Sequence, residues 1–259
     1  MKIIILAAGQ GTRLRPLTDE QPKCMVSINQ VSIIERILRT ISACGINERD
    51  VWIVAGYKAS VLEKFLAGRD INFIYNSDYE TTNMVYSLMC AKGVLESDEE
   101  IIVSYGDIIY ESSVLKKVME APYELSVAAD DGWYEYWQKR CENPLDDAET
   151  FLFDESDNLQ EIGQKTTKLS DIQSQYIGLM KYSGNGIRRI IEVCEKAKEK
   201  SLNGEPLWRT PRTYQKMYMT DMLQGLVDEG NQIKVLHINR GWYEVDSLKD
   251  LQVVEKEVL

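Results

Sequence analysis

Residues 6–23 read LAAGQGTRLRPLTDEQPK and follow the apolar run KIIIL. Gly9 and Gly11 in this stretch let backbone N–H groups close on an anion, because glycine has no side chain and tolerates positive φ. Arg13, Arg15 and Lys23 add cationic side chains to the same segment. A dinucleotide loop would require a third glycine at the place held by Leu14, and the G-x-x-x-x-G-K-[ST] pattern of a P-loop is absent. The composition of the loop instead suits a nucleoside triphosphate that gives up pyrophosphate, with Arg13 and Lys23 neutralising charge on its phosphates.

Two aspartates are candidates for a metal. Asp107 lies just past the apolar run of IIVSYGD, beyond a glycine, and Asp246 ends WYEVD. An Asx turn is the plainer reading of a Gly-Asp pair. At the second position Ser247 can cap the helix that follows, with Asp250 in its first turn, so Asp246 is free for another task. Two strand-end carboxylates can share one Mg²⁺, which takes few protein oxygens and keeps phosphate and water as its other ligands. His237 is the only histidine and sits in the alternation KVLHIN of a half-buried strand, which sets aside histidine-based acid–base or metal chemistry.

The elements that must position these groups follow from periodicity. In the first half short β runs (KIIIL, VWIVAGY, NFIYN, EIIVSYGD, YELSVAA) alternate with helical patterns, such as VSIIERILRTISACG with Gly45 as its stop and SVLEKFLAG with Ser60 as its cap. This rhythm implies an α/β fold with a Rossmann-like, mostly parallel sheet, helices on both faces and ligands beyond the carboxyl ends of the strands. After about residue 130 the rhythm changes: AETFLF and LQEIGQK flank a polar turn as a β-hairpin, and QYIGLMKYS is a further strand. We expect one domain over residues 1–259, with 131–183 as a β insertion walling the ligand edge.

A net charge of −11 disfavours nucleic acid as a partner but leaves room for a locally positive nucleotide pocket. No apolar run is long enough for a membrane span, and the five cysteines lack any C-x-x-C spacing, so a cytoplasmic protein with reduced thiols is expected. Oligomeric state is left open by the sequence.

The segment with Gly9, Gly11, Thr12, Arg13, Leu14, Pro16, Leu17, Thr18, Pro22 and Lys23 resembles the signature of the nucleotidylyltransferases, or sugar-phosphate pyrophosphorylases. The resemblance implies an enzyme that releases pyrophosphate, with Arg13 and Lys23 catalytic and Ala8, Gly9, Gly11, Thr12, Arg13, Tyr57, Thr82, Asn83 and Ser87 around the nucleotide. It also implies Asp107 and Asp246 as Mg²⁺ ligands. Asn83, Tyr86, Ser87 and Leu88 match the N-x-x-Y-S-L of cytidylyltransferases that activate small phosphates, which favours CTP.

For the acceptor, Trp133, Tyr134, Tyr136 and Trp137 could cage a quaternary ammonium or could be packing residues. Arg140 would suit a carboxylate or phosphate better than choline. Lys165 stands where this family has a lysine for the acceptor phosphate, although Thr166 replaces the usual proline, and Gln175, Tyr176 and Gly178 match a strand lining the acceptor pocket. The combined pattern is similar to cytidylyltransferases acting on phospho-L-glutamine in capsule phosphoramidate synthesis, ahead of those for phosphocholine, 2-aminoethylphosphonate or a sugar 1-phosphate. A nucleotide-binding regulator without turnover would be expected to have lost Lys23 or an aspartate, and all are present.

Overall fold

The computed structural model describes residues 1–97 and 100–258. In chain order it comprises β1 (Lys2–Ala7), a small pair β2 (Ser27–Ile28) and β3 (Val31–Ser32), α1 (Ile33–Ala43), β4 (Val51–Ala55), α2 (Ala59–Phe65), β5 (Asn72–Tyr75), α3 (Met84–Cys90) and α4 (Lys92–Leu95). β6 (Glu100–Tyr105), β7 (Ile108–Tyr110), α5 (Ser112–Met119), β8 (Leu125–Asp130), α6 (Trp133–Arg140), β9 (Glu149–Phe153) and β10 (Leu159–Lys165) follow. The chain continues through β11 (Gln175–Ser183), α7 (Asn185–Leu202), α8 (Met219–Asp228), β12 (Lys234–Ile238), β13 (Trp242–Glu244) and α9 (Leu248–Glu257).

Seven strands form one sheet in the order β12-β8-β11-β6-β1-β4-β5, parallel throughout except for β11, which runs against both β8 and β6. β1 is buried on both faces, with Ile3, Ile4 and Ile5 fully covered, as a near-continuous apolar run in a helix-flanked parallel sheet should be. Ile3 and Ile5 join one apolar cluster and Ile4 the opposite one, so a core lies on each side of the sheet. Strands leave β1 in both directions, toward β4 and toward β6. A crevice therefore opens at the carboxyl ends of β1 and β6, the switch point where α/β sheets bind ligands.

Two expectations need correction. α2 starts at Ala59 from Lys58 in left-handed geometry, and Ser60 is its second residue, not its cap. β11 is an interior strand of the main sheet, so the insertion ends before Gln175; within it, β9 and β10 pair as the expected antiparallel hairpin. The segment after Gly132, where no element was anticipated, forms α6. His237 lies half-buried on β12 and pairs with Asp131 and Asp157, and all five cysteines are free thiols. No helix among the described residues is long and apolar enough to cross a membrane.

Candidate active site

The glycine loop leaves β1 at the crevice. Gly11 has φ of 62°, a conformation costly for other residues, and a Cβ on it would stand 2.8 Å from Cβ of Lys23. The loop thus folds back so that Gly11 and Lys23 touch. Thr18 Oγ1 donates to the Gly11 carbonyl at 2.9 Å, and fully buried Leu14 anchors the short 3-10 turn that carries Arg13. A cavity of about 400 Å³ lies over this loop. Its wall includes Ala8, Gly9, Gly11, Thr12, Arg13 and Lys23 together with Thr82, Asn83 and Ser87.

Asn83 caps α3, its side chain accepting from the Met84 amide at 2.9 Å, which holds the first turn of the helix at the cavity. Asn76, which no motif in the sequence marks, has a buried side-chain amide that donates to Thr82 Oγ1 at 3.0 Å and to Ser87 Oγ at 2.9 Å. Tyr57 does not line the cavity. Its hydroxyl donates to the Thr18 carbonyl at 2.9 Å and so braces the loop from behind.

Asp107 and Asp246, 139 positions apart in the chain, are brought together by the ribbon of β7 and β13, in which Glu244 pairs with Ile108. The Val245 amide also donates to the Asp107 carbonyl at 3.0 Å. Glu244 joins them, and one oxygen from each carboxylate lies within 4.8 Å of the others. Glu244 escaped the sequence reading, yet a strand alternates its faces with period two, so a carboxylate two places before Asp246 was a usable signal.

Lys23 sits between the two aspartates. Its Nζ donates to Asp107 Oδ2 at 2.6 Å and to Asp246 Oδ1, while Arg13 Nη2 lies 2.6 Å from Asp246 Oδ2. Burial by itself would lower the Lys23 pKa, but Asp107 and Asp246 overcome this and raise it above the ordinary value. Burial likewise works against an ionised Asp246, and Lys23 and Arg13 outweigh it, holding that carboxyl below its usual range. Glu244 goes the other way: burial, with Asp246 and Asp107 nearby, pushes it up despite Arg140.

Oδ1 of Asp107 is buried without a hydrogen-bond partner among the described residues. An orphaned carboxylate oxygen facing two further carboxylates is the donor set a hard divalent cation takes, so these residues fit Mg²⁺.

The segment carrying Asp246 is fixed by a capping box. Ser247 Oγ accepts from the Asp250 amide at 3.2 Å, and Asp250 Oδ2 accepts from the amides of Ser247 at 2.8 Å and Asp246 at 3.1 Å. The other oxygen of Asp250 accepts from Arg140 Nε at 2.8 Å, and Arg140 Nη1 lies 2.8 Å from Glu244 Oε2. Arg140 is buried in this network over the rings of Tyr136 and Trp137. Its assignment as a fork for the acceptor is therefore corrected: its partners are the chain's own carboxylates.

Trp133 and Trp137 are also buried, packed edge to face against each other, with Trp137 Nε1 donating to Asp147 Oδ2 at 3.0 Å. They form no open cage and belong to the core under β13, against Tyr136 and Trp242. Lys165 is exposed outside the cavity, 3.5 Å from the Asp147 carbonyl. Gln175 Nε2 donates to the Glu149 carbonyl at 2.7 Å, and the Tyr176 hydroxyl donates to Met180 Sδ at 3.2 Å, so neither faces the cavity. Gly178 acts at one remove: with φ of 80° and no side chain it lets the ring of Tyr105, a cavity residue, lie on its backbone, where a Cβ would meet the ring at 2.6 Å. Tyr176 meets that ring edge-on at 5.8 Å. Tyr105 and Tyr218 complete this end of the cavity; neither was among the candidate site residues of the sequence.

A cationic glycine loop joined to a carboxylate cluster in a cleft at the sheet's switch point suits an enzyme that handles a nucleoside triphosphate. The chain belongs to the MobA-like NTP transferase family, whose model matches residues 3–209. It is a nucleotidyltransferase.

Among curated relatives, the CTP:phosphoglutamine cytidylyltransferase of Campylobacter jejuni is 38% identical over an alignment of 262 positions, covering 99% of this chain and all of that protein. The choline-phosphate cytidylyltransferase of Streptococcus pneumoniae is 38% identical over 105 residues, covering 40% of this chain and 42% of the relative. The solved structure of the CTP:phosphocholine cytidylyltransferase from Streptococcus pneumoniae superposes with a TM-score of 0.71 at 21% identity, covering 100% of this chain and 99% of the other, and supports the fold.

Proposed function

We propose that this enzyme is a Mg²⁺-dependent cytidylyltransferase that transfers CMP from CTP to the phosphate of phospho-L-glutamine, releasing pyrophosphate. The observation that carries the reading is the full-length 38% identity to an enzyme named for that nucleotide and that acceptor. The geometry supports it, since cations from the front of the chain and carboxylates from its middle and end face one cleft.

Asp107 and Asp246, with Glu244 beside them, would hold Mg²⁺. Bound there, it would supply Lewis-acid charge that offsets repulsion between two polyanions. The glycine loop and Arg13 bind the β- and γ-phosphates. Lys23, which bridges Asp107 and Asp246, would neutralise charge at the reacting phosphate. Thr82 and Ser87, held by Asn76, and Asn83 at the cap of α3 orient the nucleoside. An oxygen of the acceptor phosphate attacks the α-phosphorus in line, the bond to the β-phosphate oxygen breaks, and pyrophosphate leaves with that oxygen's electron pair. The nucleophile is already an anion, so no general base is required.

Pyrophosphate release is the test. The purified enzyme with CTP and phospho-L-glutamine should form it only when Mg²⁺ is present, and should form less with UTP or dTTP and with phosphocholine, 2-aminoethylphosphonate or a sugar 1-phosphate. Equal rates with CTP in the absence of any acceptor, or a preference for a sugar 1-phosphate, would refute the proposal.

A further inference from the structure

Arg140 is held by Asp250 and Glu244, Arg209 by Glu161 and Asp228, and Arg240 by Asp130. Arg212 differs. It engages the Thr210 hydroxyl and Asp221 through Nη1 alone, leaving the Nε–Nη2 edge without a hydrogen-bond partner among the described residues. Its guanidinium lies over Tyr218, 3.9 Å from the ring centroid; Tyr218 is part of the cavity wall, and Arg212 and Glu149 stand just behind that wall, outside the lining itself. A stacked guanidinium with one edge bound and the other open is a fork held ready for a planar anion.

Close to it, Glu149 projects from the start of β9. Its carboxylate makes no hydrogen bond or salt bridge among the described residues, and it is largely buried. Burial raises its pKa, and Lys165 and Arg212 oppose that rise, so both cations act on the same carboxylate. β10 approaches α8 closely at Gly163, where a Cβ would stand 2.6 Å from Thr220 Cβ and 3.6 Å from Glu149 Oε2. The hairpin and the start of α8 are thus pressed together around Glu149. The two unlike charges are neighbours, yet Arg212 is committed to Asp221 and not to Glu149.

We propose that Arg212 and Glu149 form the subsite for the amino-acid end of the acceptor, with the open edge of Arg212 donating to the α-carboxylate and Glu149 accepting from the α-ammonium. This rests on the reading of the acceptor as a phosphorylated amino acid. A zwitterion answers both charges. A trimethylammonium would answer Glu149 and face the Arg212 cation, and a sugar phosphate would answer neither.

The test pairs variants with acceptors that lack the matching group. With CTP and Mg²⁺, kcat/KM is measured for phospho-L-glutamine, for the phosphorylated 4-aminobutanamide that lacks the carboxylate, and for the N-acetylated acceptor that lacks the charged amine. Arg212→Met should lower kcat/KM for phospho-L-glutamine by about tenfold to a hundredfold, the worth of a charge-assisted hydrogen bond. It should cost little more with the decarboxylated acceptor, and Glu149→Gln should behave likewise with the N-acetylated one. KM for CTP should stay within about twofold of wild type, because these contacts lie on the acceptor alone. Arg212→Lys, which keeps the charge and loses the fork, should fall between, and it carries the test should Arg212→Met fold poorly.

Equal losses on the intact and truncated acceptors would overturn the subsite, as would an unchanged KM for phospho-L-glutamine in Arg212→Lys and Arg212→Met. Wild-type turnover of phosphocholine without turnover of phospho-L-glutamine would refute the acceptor reading itself, and the subsite with it, before any variant is made.

Discussion

Replacing Arg140 with methionine removes a guanidinium whose side chain is 4% exposed and leaves two carboxylates behind, Asp250 at 6% and Glu244 at 21%. Breaking a buried ion pair from one side strands charge in a poorly solvated place and costs about 3–5 kcal/mol. A domain of this size loses roughly 2–4 °C of melting temperature per kcal/mol, so a fall of roughly 6–20 °C is expected in a thermal scan. Asp250→Asn should also destabilise. The double variant should cost less than the two singles added, with a coupling of about 1 kcal/mol or more, because Arg140 and Asp250 share one bond.

Arg140 reaches the cleft through Glu244 and through the Asp250 cap under Asp246, so Arg140→Met should raise the Mg²⁺ concentration needed for half-maximal rate more than it raises KM for the acceptor. A melting temperature within about 2 °C of wild type, together with a large rise in acceptor KM, would refute this reasoning. It would restore Arg140 as a group that touches substrate.

Asp107→Asn and Asp246→Asn should each cut the Mg²⁺-supported rate by about a hundredfold or more, as loss of charge stabilisation at a phosphoryl centre does, and calorimetry should find weaker Mg²⁺ binding in the presence of CTP. Lys23→Met should lower kcat by a similar factor, and an unchanged kcat would remove Lys23 from the chemistry. Asn76→Ala should raise KM for CTP with little change in acceptor KM, since it frees Thr82 and Ser87 together, and a steady KM for CTP would contradict that role. Gly178→Ala should cost about 1–3 kcal/mol of stability for its left-handed backbone, with further loss of activity as Tyr105 is pushed from the cavity wall. An alanine variant as stable and active as wild type would mean that the ring is not held there.

What could be read from the residues depended on how local the signal was. The glycine loop was legible because its two glycines and its cations occupy one short segment with a single plausible ligand class. The capping box at Ser247 and Asp250 was legible for the same reason, spanning one turn of helix. Arg140 was misread because a charged side chain declares its sign and not its partner, and its partners Glu244 and Asp250 lie over a hundred positions away. The tryptophans of α6 carried the same ambiguity: an aromatic cage and an aromatic core have one composition. β11 was found as a strand, but its place between β8 and β6 is a matter of pairing across the sheet, which alternation of side chains along one strand does not encode.

The reversed direction of β11 has a consequence for how such enzymes diversify. Its first residue, Gln175, stands in register with Asp130, the last residue of β8, so the excursion through α6 and the β9–β10 hairpin departs from and returns to neighbouring points on one rim. An excursion anchored this way behaves as a cassette: lengthening it shifts no strand register, and each doubling of its length adds only about 0.6 kcal/mol of closure entropy. If Glu149 of this segment belongs to the acceptor subsite proposed above, a different acceptor could be fitted by rewriting the excursion without disturbing the cleft at the ends of β1 and β6.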